Sequence, residues 1–151
     1  MANTQALCTS FKTEILDGIH ALGTTVIRAG TGADTLKAAL YLTSATVNAA
    51  TTAYSATGEV SGTNYSAGGI TATNANQPAN SGTTAYWTPS ASFTYTNVTL
   101  STAFDAVLIY NSTQSNKAIS VHTFGSQTVT AGTFVLSMPT NDASTGLLRI
   151  A

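Results

Sequence analysis

Two histidines, His20 and His122, and six carboxylates are the groups in this chain best suited to moving protons. His122 with Asp105 and one of the many serines would compose a nucleophilic triad, the imidazole taking the seryl proton and the carboxylate orienting the ring. No GxSxG elbow accompanies them, and neither histidine has a fixed-spacing partner such as HExxH. His122 falls on the face it shares with Ser120 in an alternating segment, which reads as a solvent-facing or sheet-interface histidine. Glu59 and Asp105 would form an acid/base pair if the fold brought them together. Glu59, however, lies in a Gly-rich turn segment, where a carboxylate accepts backbone N–H groups, and Asp105 reads as a turn-capping carboxylate. No set of groups converges by spacing, so the chain is read as non-enzymatic.

Binding motifs are equally sparse. The GTG of Gly30–Gly32 lacks the rest of a phosphate-binding GxGxxG or GxxxxGK, and no cofactor is expected. Cys8 is the single cysteine, which excludes an intrachain disulfide and an all-cysteine metal site; beside Leu7 and Phe11 it reads as a small core residue. Asn64, Asn97 and Asn111 each open an Asn-x-Ser/Thr sequence, as chance provides in a chain this rich in those residues. Tyr86 and Trp87 beside Pro89 form either a sugar-stacking platform or the edge of a core.

Charged residues make up 7% of the 151 residues, against about 25% in an average soluble protein. Ser, Thr, Asn, Ala and Gly take their place. The net charge of −1 and the lack of a basic stripe argue against nucleic acid as a partner. No apolar run approaches the ~18–20 residues that span a bilayer, and no basic, apolar leader opens the sequence. A soluble product of the cytoplasm with no membrane partner is expected. A neutral, hydroxyl-rich surface is poorly protected against association, which suits a chain that forms part of an assembly.

The elements that must carry these groups are mostly strands. Leu7, Phe11, Ile15, Ile19 and Leu22 recur at spacings of four, four, four and three, predicting an amphipathic helix capped at Asn3 or Thr4 and stopped by Gly23. Gly18 inside it implies either an early end or a close packing contact. The stripe packs on its own sheet or docks on a neighbouring subunit. A possible short strand lies at Val26–Arg28, and Leu36–Thr43 reads as a core strand. Thr57–Thr73 is punctuated by Gly58, Gly62, Gly68 and Gly69, and Asn74–Gly82 reads as a surface loop. Ala91–Asn111 reads as two strands joined by a Ser-Thr-Ala connection, with a β-bulge near Thr96–Asn97, where the alternation slips. A turn at Ser112–Lys117 and strands at Ala118–Phe124, Thr133–Met138 and Leu147–Ile150 complete the list. The expected fold is mainly β, an antiparallel β-sandwich or jelly roll over residues 24–151 with one amphipathic helix in residues 1–23.

EVSGTNYSAGG at Glu59–Gly69 resembles a segment of small structural proteins of tailed bacteriophages, in which an acidic residue, a Gly-x-x-Tyr step and a Gly pair precede a strand. TAFDAVLIYNSTQSNKAISVHTFGSQTVTAGTFVLSMP at Thr102–Pro139 resembles the same group in its strand ending in Tyr, polar turn, strand ending in Phe-Gly and final strand after a Gly turn. LKAALYL at Leu36–Leu42 fits the group's first core strand, so that the resemblance covers roughly residues 35–150. Asn64 stands where a glycine is common. The resemblance implies a virion component, foremost a head decoration (cement) protein that binds the major capsid protein and itself, as a homotrimer by analogy. A tail, collar or fibre-base component is the alternative, and a carbohydrate-binding β-sandwich using Tyr86 and Trp87 a second one. The expected contact residues are Leu7, Phe11, Ile15, Ile19 and Leu22 of the helix with Glu59, Asn64 and Tyr65 of the Gly-rich loop.

Overall fold

The computed structural model describes residues 2–23, 33–73 and 75–151; the strand expected at Val26–Arg28 lies outside them. The chain is mainly β with antiparallel sheets and one short N-terminal helix. In order, it forms β1 (Ala6–Leu7), α1 (Thr9–Leu16), β2 (Leu36–Leu42), β3 (Ile70–Thr71), β4 (Ala79–Ser81), β5 (Thr84–Trp87), β6 (Phe93–Asn111), β7 (Lys117–Leu136) and β8 (Leu148–Ile150). One sheet has the order β1-β7-β6-β2-β3 and the other β4-β5-β8. No helix among the described residues is long and apolar enough to cross a membrane.

The long β6–β7 hairpin is the spine. Its polar turn places Ser115 and Asn116 at positive φ, and Asn111 pairs with Lys117 at the turn end. The apolar runs Ala106–Tyr110 and Ala38–Tyr41 lie side by side with neither face open, which explains why neither run alternates. The bulge expected near Asn97 is present. Between the pairs Tyr95–Phe134 and Val98–Gly132, β6 carries one residue more than β7, and Asn97 takes φ 54°.

Two expected divisions are absent. The Ser-Thr-Ala connection is not a turn, because β7 runs beside β6 throughout. The pairs Leu100–Val129 and Phe104–Gln127 show that Ser101–Ala103 is absorbed as extra residues in one strand. The segments 118–124 and 133–136 likewise belong to one strand, which tolerates Ala131 at φ 46° and ends before Ser137 and Met138. Asp105 therefore sits mid-strand instead of capping a turn. Part of the expected loop at 74–82 is strand: Ala79–Ser81 turns through Gly82 (φ 57°) to pair with β5.

The helix is shorter than its apolar spacing predicts. Ala6 and Leu7 pair with Val121 and Ser120 as a strand, and Asn3 ties Leu42, Val47 and Asp105 instead of capping. The helix stops at Gly18 (φ 68°) and not at Gly23: Ile19 N donates to Glu14 O and Gly18 N to Ile15 O, a Schellman ending. An added Cβ on Gly18 would meet nothing, so the glycine ends the helix and does not serve a close contact. The apolar stripe is used inside the chain. Phe11 is 1% exposed, and Leu7, Phe11, Ile15 and Leu22 close a small apolar space of about 70 Å³ against Trp87 and Leu148 of the second sheet.

Cys8, Phe11, β2, β6, β7 and Trp87 share one core, so the segment 2–23 is bound into the β domain. Phe11→Ala is expected to cost about 3–5 kcal/mol in chemical denaturation. Gly69 (φ 70°) passes so close to β2 that a Cβ would lie 1.7 Å from Ala38 O. Gly69→Ala should therefore cost about 2 kcal/mol or more, and an unchanged unfolding midpoint would contradict the backbone path.

Candidate functional site

Three polar clusters are built into this frame. The first surrounds Glu59, which β2 and the Gly-rich loop hold beside Tyr41 through an isolated bridge. Its Oε1 accepts the Tyr65 hydroxyl and the Gly68 N–H, each at 2.8 Å, and its Oε2 accepts the Tyr54 hydroxyl at 2.6 Å. The backbone N–H expected for a carboxylate in this turn is thus present, joined by two phenols. Tyr65 also accepts Leu40 N–H, while Tyr95 and Tyr110 donate to Ala38 O and Gly68 O. Tyr54 stacks on Tyr110 and Tyr65 on Tyr95.

Burial and the neighbouring Glu59 carboxylate push the phenols of Tyr54, Tyr65, Tyr95 and Tyr110 above their ordinary value, Tyr110 to about 12. These hydroxyls remain donors across the usable pH range. They fix the loop. Asn64, at the tip of that loop, is exposed, takes φ 60° where Gly is the usual solution, and donates to Asn97 O.

The second cluster joins the helix, the segment before β2 and the β6–β7 turn. Lys117 Nζ donates to Glu14 Oε1 (2.5 Å), and Glu14 Oε2 lies 2.8 Å from His20 Nε2. Asn111 Nδ2 faces His20 Nδ1 (3.1 Å) and donates to Asp34 Oδ2 (2.8 Å). Asn111 Oδ1 accepts the backbone N–H of Thr113 and of Gln114, so the orientation of its amide is fixed by the turn. The amide then donates to His20 Nδ1, which leaves Nε2 to carry the proton given to Glu14. Burial would raise the Glu14 carboxyl, but the hydrogen bonds of Lys117 and His20 and the Lys117 charge outweigh it and hold it below the usual range.

The third is Ser120 with His122, where Oγ and Nε2 are 2.9 Å apart at the wall of a cleft of about 440 Å³ that also meets Gln5, Thr84 and Arg149. Burial pushes His122 down to about 4. Ser120 is 1% exposed and pairs with Leu7 of β1. Asp105 accepts Asn3 Nδ2 at 2.6 Å and shares no described hydrogen-bond partner with Glu59 or His122. No described hydrogen bond joins His122 to Asp105, so the triad considered from sequence is not formed, and Glu59 and Asp105 sit in separate hydrogen-bond sets. Among the described residues no group of three or more His, Cys, Asp or Glu could hold a metal ion.

The remaining candidates separate. Trp87 is 1% exposed and its Nε1 donates to Asn76 O, which makes it core, whereas Tyr86 is half-buried. Phe11 and Glu59 face inward, Leu7, Ile15, Ile19, Leu22 and Tyr65 are half-buried, and Asn64 is exposed. Cys8 is buried, which pushes its thiol up to about 11. Sequence reasoning missed the tyrosines around Glu59 and the Glu14–His20–Asn111–Lys117 set. The first left a faint signal, in that Tyr54, Glu59 and Tyr65 stand five and six residues apart. The second left none, for its members are up to 103 residues apart.

Two measurements check these assignments. Glu59→Ala leaves two phenols and one N–H without their acceptor and should cost about 3 kcal/mol or more, with Glu59→Gln intermediate. For His122 the unfolded chain binds a proton near the ordinary value of about 6.5, while the folded chain refuses it until about 4. Stability therefore falls as pH drops through that window, by up to about 3 kcal/mol, and the effect is absent above it. His122→Leu should flatten that part of the pH profile; an identical slope would remove His122 as its source.

Comparison with known proteins finds no matching family model, no matching curated protein and no matching solved structure, so the reading of these clusters rests on their own geometry.

Proposed function

We propose that this chain is a non-enzymatic structural protein of a bacteriophage virion, foremost a capsid decoration protein that binds the major capsid protein and itself. The observation that carries the reading is where the polar chemistry goes. The carboxylates of Glu14 and Glu59 are engaged inside the fold, and Asp34 and Asp105 accept hydrogen bonds there too. The exposed surface of β6 and β7 is Thr, Ser, Asn, Gly, Ala, Gln and Val.

The physical logic is area: many copies, each burying about 1,000 Å² or more against a shell, strengthen it with no chemical step. Low charge suits such contacts, whose centres are depleted in Lys, Glu and Asp. The two antiparallel sheets, with the helix against Trp87 and Leu148 of the second, are read as the layers of a sandwich. Phe11 of the helix stripe is buried and Leu7, Ile15 and Leu22 pack partly against the core, so the contact surface is assigned first to what is most exposed. That is Leu16, 88% exposed, the Asn64 turn, and the outer face of the hairpin with Val135 at 49%. Self-association as a trimer rests on the resemblance in Glu59–Gly69 and Thr102–Pro139.

Immunogold labelling of purified particles with an antibody against this chain tests the proposal. Dense label over the head, matched by hundreds of copies on a gel, is the expected result. A handful of copies at the tail would move the chain to the collar or tail, and particles free of label would overturn a virion role altogether.

A further inference from the structure

We infer that Lys117 and Asn111 are joined by an intramolecular isopeptide bond formed by the chain itself, with Glu14 as the catalytic base. The two residues are register partners across the first pair of the β6–β7 hairpin. Directly opposed residues carry their Cβ atoms about 4.5–5.5 Å apart on one face. A lysine stem spans that gap readily, and the Asn111 Cγ is one bond beyond its own Cβ.

The surroundings supply each requirement of amide exchange. Asn111 is 0% exposed and the His20 side chain is equally shielded, so water is kept from the carbonyl. The two turn N–H groups of Thr113 and Gln114 (3.1 and 3.2 Å) already hold Asn111 Oδ1, where negative charge develops when Cγ becomes tetrahedral. The Lys117 amine is bonded to the Glu14 carboxylate, and the departing nitrogen, Asn111 Nδ2, is bonded to the Asp34 carboxylate. His20 bridges Glu14 to Asn111 and acts as a positioning residue.

The step balances without a co-reactant. Glu14 takes a proton from the Lys117 ammonium, and the freed amine attacks Asn111 Cγ to form the new C–N bond. The tetrahedral intermediate collapses with loss of the Cγ–Nδ2 bond. Two protons in all leave the lysine nitrogen by way of Glu14 and end on the departing nitrogen, which is released as ammonium. Nothing is oxidised or reduced. The product is a secondary amide closing the mouth of the hairpin. This inference does not depend on the virion reading.

Mass spectrometry of the whole chain in denaturant is the test. The mass is expected to be lower than that of the sequence by one ammonia, and trypsin should fail to cut after Lys117. Lys117→Arg keeps a cation beside Glu14 but cannot form the amide, and should restore the full mass. Glu14→Gln should slow the loss while the circular dichroism spectrum reports a folded chain. A wild-type chain at full mass that is cut after Lys117 would reduce the cluster to an ion pair. An ammonia loss that survives in Lys117→Arg would place the reaction elsewhere and equally overturn the inference.

Discussion

A carboxylate in a protein interior is tolerated when its oxygens are occupied by donors, and the structure around Glu59 depends on meeting that condition. Two phenols and one backbone N–H meet it, and each donor comes from a different part of the chain between Tyr54 and Gly68. The same phenols and their neighbours reach onward to Leu40, Ala38 and Gly68. A Gly-rich segment with almost no regular structure is thereby pinned to the central strands. Its glycines follow from this requirement: Gly68 must offer an N–H at positive φ, and Gly69 must slide past the Ala38 carbonyl. The loop is rigid because a single charge inside it is satisfied.

The other two clusters tie the frame at different places. Glu14, His20, Asp34, Asn111 and Lys117 fasten the helix end to the hairpin turn, where apolar packing alone would leave two polar segments side by side. His122 stands between the sheets, near Leu147 and Thr84, where burial of its ring disfavours the charged form. Paired and hydrogen-bonded, such groups specify which segments meet, although their net contribution to stability is small beside that of the shared core.

Most of the strands were legible because their physics is local. Ala38–Leu42 and Ala106–Tyr110 are unbroken apolar runs, and the slip of alternation at Asn97 is a bulge written directly in the residue order. The failures share one cause. Helical spacing from Leu7 to Leu22 is a local signal too, but β7 claims Ala6 and Leu7, and Gly18 takes the left-handed conformation that stops the helix. Ser101–Ala103 has turn-forming composition, yet a partner strand alongside keeps it extended. The polar clusters were not legible because their members converge only after the sheet has formed. Trp87 could be read either way from sequence, and burial decided it.

The bond between Glu14 and Lys117 spans 103 residues, and Asn3 reaches Asp105 across 102. A ribosome delivers the N-terminal segment first, long before the strands that receive it exist. Phe11 and Cys8 must therefore wait in water, or in the care of a chaperone, until the hairpin turn has emerged. Folding of this chain is governed by its last third, and because its contacts close such long loops it is expected to be slow for its size. A cell that makes the protein in quantity must tolerate an exposed helix stripe for the whole of that interval.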